Sequence, residues 1–318
     1  MGRGEVDTPA TGRYHAAMVR HEAGKTGGPI DRLRDDRTSG ASELMAVALE
    51  ALKRAREEGP DALAAAAAAV CEAQPSMASL RNLAAAAARD PHDPGALDRF
   101  EQRWRRAGPA LVRVATGILL PGEPRPARLV TCSFSGSVLA CVQALARRTR
   151  VEIACGEGRP ALEGRRMAAA LAAAGARVEF FTDAALGQAL DGADALVVGA
   201  DAVTPAWFLN KCGTAALADA ALRAGVPVYV LATRDKFLHA AAVVDRPPGR
   251  HAGRTTLGED SRSPGLRVDE HDPGEVWDAP PAGVTIRNPY FERVPMDLVT
   301  GVITDAGLLG TGMLEEAL

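Results

Sequence analysis

Long apolar runs are missing from this chain. The longest, Ala62 to Val70, is mostly alanine and too short to span a bilayer, so no membrane partner is expected. The opening stretch MGRGEVDTPATGRYHAAMVRHEAGKTGG has no apolar core of signal-peptide length, and residues 1–37 read as a polar, flexible extension rather than a secretory leader. Cysteine is sparse, with five residues at 71, 132, 141, 155 and 212 and no CxxC or CxxH spacing. That pattern argues against zinc or any other metal, and the odd count favours reduced thiols in the cytoplasm. A net charge of −3 with no broad basic field argues against direct contact with nucleic acid.

Several chemical signatures are absent too. No GxGxxG follows a strand and no GxxxxGK[ST] occurs, so neither a dinucleotide nor a P-loop cofactor site is supported, and no cofactor is expected. GxSxG is missing and the six histidines are scattered, which speaks against a Ser-His-Asp hydrolase.

What is present falls into two regimes. From 38 to 122 the chain shows helical periodicity only. SELMAVALEALKRAREEG places Leu44, Val47, Ala48 and Leu52 on one face, and DALAAAAAAVCEA, SMASLRNLAAAAARD and PGALDRFEQRWRRAGPALVRVATGIL follow, punctuated by Pro60, Pro75, Pro91 and Pro94. After a joint at PGEPRP, 121–126, short β-rich runs alternate with helical ones: RLVTC then SGSVLACVQALARRT, VEIAC then ALEGRRMAAALAAAG, RVEFF then DAALGQAL, ALVVG then KCGTAALADAALRAG, PVYVL then RDKFLHAA. Strict alternation predicts right-handed βαβ crossovers and a parallel sheet covered on both faces. The expected fold is therefore α/β: a helical N-terminal domain, 38–122, followed by a Rossmann-like parallel-sheet domain, 123–318. Residues 243–283, rich in Pro, Gly, Arg and Asp, read as a long, partly disordered excursion. A last strand, VTIRN, and a helix around PMDLVTGVITDAG are expected to close the chain.

Ligands of such sheets sit at the carboxyl ends of the strands. The loop TCSFSGS there puts Ser133 and Ser135 at a helix start, where they either cap the helix or help to hold an anion. Arg159 follows the second strand, as an anion clamp or as plain surface charge. Asp201 ends the most apolar strand. Lys211 is one of only four lysines among 37 basic residues, which hints that a compact point charge is wanted there.

The stretch VVGADAVTPAWFLNKCGTAALA resembles the signature of a superfamily with two branches. One holds the alpha, beta and delta regulatory subunits of translation initiation factor 2B; the other holds methylthioribose-1-phosphate isomerase, ribose-1,5-bisphosphate isomerase and related enzymes. Gly199-Ala200-Asp201 and Asn210-Lys211-Cys212-Gly213-Thr214 carry the likeness. The blocks SGASELMAVALEAL, QPSMASLRNL, LVTCSFSGSVL, GEGRPALEGRRMAAAL, FFTDAA and NPYFERVPMDLVTGVITDAG agree in order, over about residues 38–240 and 284–309. The resemblance implies a sugar-phosphate pocket between the two domains and a homodimer or larger homo-oligomer. It implies that Asp201 moves a proton while Asn210 and Lys211 hold the substrate. In the isomerase branch a cysteine within THC works with that aspartate. Here TCS puts Cys132 and Ser133 in its neighbourhood, with Ser133 at the reactive position, and a serine hydroxyl titrates far above a thiol's reference of about 8.5. Gln74 stands where the isomerases tend to have an arginine. Both departures lean towards the regulatory branch: an initiation-factor-2B-like protein that binds a sugar phosphate or nucleotide, with weak or no isomerase activity. The alternative is an aldose–ketose isomerase of a pentose 1-phosphate, using Asp201 with Cys132 or Ser133.

Overall fold

The computed structural model describes residues 27–36, 39–122, 125–238, 266, 268 and 270–314. Five helices come first: α1 (Pro29–Asp35), α2 (Ala41–Glu58), α3 (Pro60–Ala73), α4 (Ala78–Arg89) and α5 (Ala96–Leu119). Proline at the first positions of α1 and α3 lacks only an N–H that would be unpaired anyway. Gly59, at φ 123°, lets α2 stop and α3 start on consecutive turns. Leu33, Leu52, Val70, Leu80, Leu83 and Leu97 form the buried centre of this bundle, with alanines letting the helices approach closely.

α5 has a second role. Leu97 and Phe100 of its first half lie in the bundle core, whereas Leu111, Ala115 and Leu119 of its second half pack beneath the sheet. Pro109, inside the helix, falls between the two sets.

The sheet has seven strands in the order β10-β9-β7-β4-β1-β2-β3. They are β1 (Ala127–Thr131), β2 (Val151–Gly156), β3 (Arg177–Phe181), β4 (Ala195–Gly199), β7 (Val228–Leu231), β9 (Gly301–Ile303) and β10 (Leu308–Leu309), all parallel except β10. Helix α6 (Gly136–Ala146) and helix α7 (Glu163–Ala173) join α5 on one face, and α8 (Thr214–Arg223) packs on the other. The chain leaves β1 toward β2 on one side and returns to β4 on the other, so the ends of β1 and β4 flank a topological switch point. Mixed α/β architecture with a helical N-terminal part and a mostly parallel sheet is as expected.

Several local expectations are corrected. Residues 29–35, read as part of the flexible extension, form α1; the one fully buried side chain, Leu33, anchors it, too short a signal for periodicity to register. Residues 1–26 lie outside the described residues. Between β4 and α8 the chain makes an antiparallel pair, β5 (Ala202–Val203) with β6 (Trp207–Lys211), and β6 also pairs with β8 (Phe291–Pro295). DAALGQAL is a 3₁₀ helix, and the described part of RDKFLHAA, residues 234–238, has a 3₁₀ turn at Arg234–Lys236 before Phe237 bridges to Val203. VTIRN is not a strand, and the expected helix at PMDLVTGVITDAG is one 3₁₀ turn followed by β9 and β10. Val302 and Ile303 are β-branched and fully buried in the strand next to the sheet edge. A side chain at 301 would meet Leu308 Cδ1 at 2.8 Å, so glycine lets β10 fold back there. The partly disordered stretch expected at 243–283 falls mainly on 243–265, outside the described residues; 270–283 are mostly exposed and include a short 3₁₀ turn. Among the described residues no helix is long and apolar enough to cross a membrane.

Candidate functional site

A cavity of about 350 Å³ opens between the helical bundle and the carboxyl ends of β1 and β4. Ligand cavities run from roughly 300 to 1,000 Å³, so this one suits a small molecule. Ser133, Ser135, Asp201, Asn210 and Lys211 all line it, as does the start of α2 at Gly40, Ala41 and Ser42. Ser76 and Met77, just before α4, and Gly136 and Ser137, at the start of α6, complete a wall of helix N-termini. Such ends present partial positive charge and N–H groups to an anion.

Each placement has a local cause. Ser135 caps α6 by accepting from the Val138 N–H at 3.3 Å, so its capping and lining roles coexist. Gly199 makes room for it, since a Cβ there would fall 2.5 Å from Ser135 Oγ. Asp201 is held by its backbone: its N–H donates to Leu209 O at 2.8 Å, and its carbonyl accepts from the first N–H of α4 at 3.0 Å. Thus β6 and the bundle together fix the acid at the cavity wall. Asn210 is buried and donates to Thr214 Oγ1 at 3.0 Å, which in turn donates to Lys211 O at 2.6 Å.

Lys211 is the most buried charge of the site, with its side chain 5% exposed. Its ammonium lies 2.9 Å from Glu163 Oε1 and 4.4 Å from the centre of the Tyr290 ring. Glu163 Oε1 also accepts from Ser133 Oγ at 2.9 Å, while Oε2 is buried with no hydrogen-bond partner among the described residues. Ser133 has a left-handed φ of 62°, and its hydroxyl turns to this carboxylate.

Two candidates lie outside the cavity lining. Cys132 does not line the cavity; it packs against the core beneath α8, with Sγ 3.4 Å from Thr214 Oγ1. The Thr214 proton is already committed to Lys211 O, which leaves the thiol as the donor. Burial pushes this thiol up to about 11, so it is not readily ionised. Arg159 is exposed and also outside the cavity. The anion its loop takes is internal: Asp183 accepts from the Gly158 and Arg159 N–H groups at 2.9 and 2.7 Å.

Gln74, in the position of the missing arginine, donates to the carbonyls of Leu33 and Asp36 at 2.7 and 3.2 Å and so ties α1 to the bundle. Sequence reasoning missed Glu163, Ser76, Lys236 and the His271–Tyr290 pair, which stack at 3.7 Å on the cavity wall. Glu163 looks like an ordinary acid in a first helical turn; only its packing against Lys211 marks it out.

Burial raises the Asp201 carboxyl above its ordinary range, with Lys236 and Lys211 pulling the other way. A folded value above the unfolded one, about 3.9, means that the protein favours the protonated form. The stability this group lends is fully present below the unfolded value and is lost as pH rises from there through the folded one. Asp201→Asn should raise the melting temperature relative to the parent at pH 8, and the gain should shrink towards pH 4. Melts of both proteins across this range check it, and a variant less stable than the parent at pH 8 would contradict it.

The initiation factor 2 subunit family matches residues 35–311. The chain is 30% identical to a putative translation initiation factor eIF-2B subunit 2-like protein of Pyrococcus horikoshii, over 88% of this chain and 94% of that one. It is 33% identical to a methylthioribose-1-phosphate isomerase of Desulforudis audaxviator, over 58% of this chain and 53% of that one, and so spans about half the isomerase's length. A crystal structure of the Pyrococcus horikoshii translation initiation factor eIF-2B matches with a TM-score of 0.70 at 27% identity, covering 88% of this chain and 95% of that one.

Proposed function

Because the chain belongs to the initiation factor 2 subunit family, we propose that it binds a phosphorylated sugar or nucleotide in the cavity between bundle and sheet, with weak or no isomerase activity. The observation that carries this reading is the convergence of helix starts at Gly40 and Ser135 with Asp201, Asn210 and Lys211 around one small cavity. The helix starts receive phosphate, and the polar side chains receive sugar hydroxyls. Weak chemistry follows from position 133, where a serine is bonded to a carboxylate while the neighbouring thiol faces away. A homodimer or larger homo-oligomer belongs to the same proposal, and light scattering of the full chain tests it.

Thermal shift with ribose 1-phosphate, methylthioribose 1-phosphate and nucleoside monophosphates tests binding. A ligand at a hundred times its Kd should stabilise the fold by about 2.7 kcal/mol, or roughly 4 °C for a chain of this size. If none of these compounds moves the transition, the reading is wrong.

A second reading, a working aldose–ketose isomerase, draws on Asp201, whose raised carboxyl suits proton transfer at the cavity wall. The ring C1–O4 bond breaks, the C2 proton is transferred to C1, and the proton lost from O2 is balanced by one gained at O4, so the atom count is unchanged and O1 keeps its phosphate. Of the two candidate partners, Cys132 and Ser133, Ser133 is the one that lines the cavity. Ser133→Cys separates the readings: if the parent is a poor catalyst for want of a titratable group, the variant should gain about 100-fold in turnover. A parent that already converts ribose 1-phosphate, with no gain in the variant, would favour the isomerase.

A further inference from the structure

We infer that Glu163 makes the cavity selective for a ligand bearing a single phosphate, because its carboxylate occupies Lys211 and puts negative charge on the wall that the rest of the ligand meets. This deepens the reading of the cavity as a phosphorylated-sugar site and rests on it.

The charges lining the cavity can be followed one at a time. Asp36 is engaged by the Ser39 N–H and hydroxyl, both at 2.8 Å, and Glu43 takes the Gly40 N–H at 2.8 Å and pairs with Arg166 at 3.5 Å. These two acids are absorbed in shaping the start of α2. Lys236 donates to Ala200 O at 2.7 Å, and Lys211 is neutralised by Glu163 at 2.9 Å. Two acids remain that face a ligand, Glu163 and Asp201.

Glu163 is the more telling of them. Oε1 already has two donors, from Ser133 and Lys211, whereas Oε2 is buried and has none among the described residues. Oε2 is closed to solvent, so a ligand meets Glu163 as negative charge at the cavity wall, which neutral hydroxyls tolerate. A phosphate dianion there is repelled by that charge and supplies only further acceptors. One phosphate therefore goes to the helix starts at Gly40 and Ser135, and the Glu163 wall takes hydroxyls. Lys211, which alone would favour a second phosphate, is converted by its partner into a positioner of that wall.

The test is calorimetric titration of the full chain with ribose 1-phosphate and with ribose 1,5-bisphosphate. The wild type should bind the monophosphate at least about tenfold more tightly, one decade in Kd being a modest charge effect. Glu163→Gln should shift the ratio of the two constants by about tenfold towards the bisphosphate, and Glu163→Asp, which keeps the charge, should retain the preference. Equal affinity in the wild type, or a ratio unmoved in Glu163→Gln, overturns the inference and leaves the binding reading standing. If the wild type binds neither sugar, the inference falls, and the binding reading is decided by the thermal shifts with methylthioribose 1-phosphate and the nucleoside monophosphates. Should Glu163→Gln fail to fold, the wild-type ratio at low and high salt decides. A preference set by charge shrinks as salt screens it, and a ratio indifferent to salt overturns the inference.

Discussion

Gly164→Ala is expected to unfold this protein or to lower its melting temperature by at least ~6 °C. The position lies in the first turn of α7, where the helix packs against the loop that leaves β2. A Cβ there would stand 1.8 Å from Gly156 O, 2.7 Å from Glu157 C and 2.8 Å from Glu157 O. All three atoms are backbone, so no side chain can rotate away. The Gly164 N–H also donates to Glu157 O at 3.0 Å, which locks the two segments together. Ordinary overpacking costs about 1–3 kcal/mol, and an overlap this deep belongs with the rare losses above ~4 kcal/mol. That is a large part of the ~5–15 kcal/mol that holds a typical domain folded. Gly117→Ala is the control: it lies within α5, exposed, with nothing within 4 Å of the added carbon. It should be neutral or stabilise by about 0.5–1 kcal/mol. Thermal melts of the two variants decide, and a Gly164→Ala protein as stable as its parent would mean that the α7–β2 junction is not packed as described.

Lys211→Met should destabilise the fold by about 3 kcal/mol and abolish ligand binding. Removing one member of a buried ion pair typically costs ~3–5 kcal/mol, because the other charge is left unpaired. The low end applies here, since Glu163 keeps about 20% of its side chain open. Without Lys211, Oε1 retains only the Ser133 hydroxyl and Oε2 still has no donor. Adding Glu163→Gln to Lys211→Met should restore most of the loss, as the stranded charge is gone. Urea denaturation of the two single variants, the double variant and the parent measures this coupling. Additive effects would show that the pair contributes nothing as a pair.

Much of the fold was legible because the strands of a covered parallel sheet are continuous apolar runs. Leu196 to Val198 and Ile153 to Cys155 are buried on both faces and read as such. The GAD and NK elements were legible as well, and both reach the cavity. The β5–β6 pair was not, since its partner β8 arrives only after the long excursion, and pairing across such a gap leaves no local trace. Cys132 and Ser133 show a different limit. Adjacent residues at a strand end face opposite ways, and only the left-handed turn at 133 decides which one meets the cavity. Glu163 was illegible because its significance lies in two contacts, to Ser133 and Lys211, that no spacing in the chain announces.

The way α5 threads two cores bears on how this chain can be divided. A cut at the 121–126 joint would carry Leu111, Ala115 and Leu119 away with the bundle and strip the cover from Leu129, Val142 and Ile303. A fragment starting at residue 123 would thus be born with a greasy, uncovered flank and a tendency to aggregate, so anyone wishing to express the sheet alone must begin before Pro109.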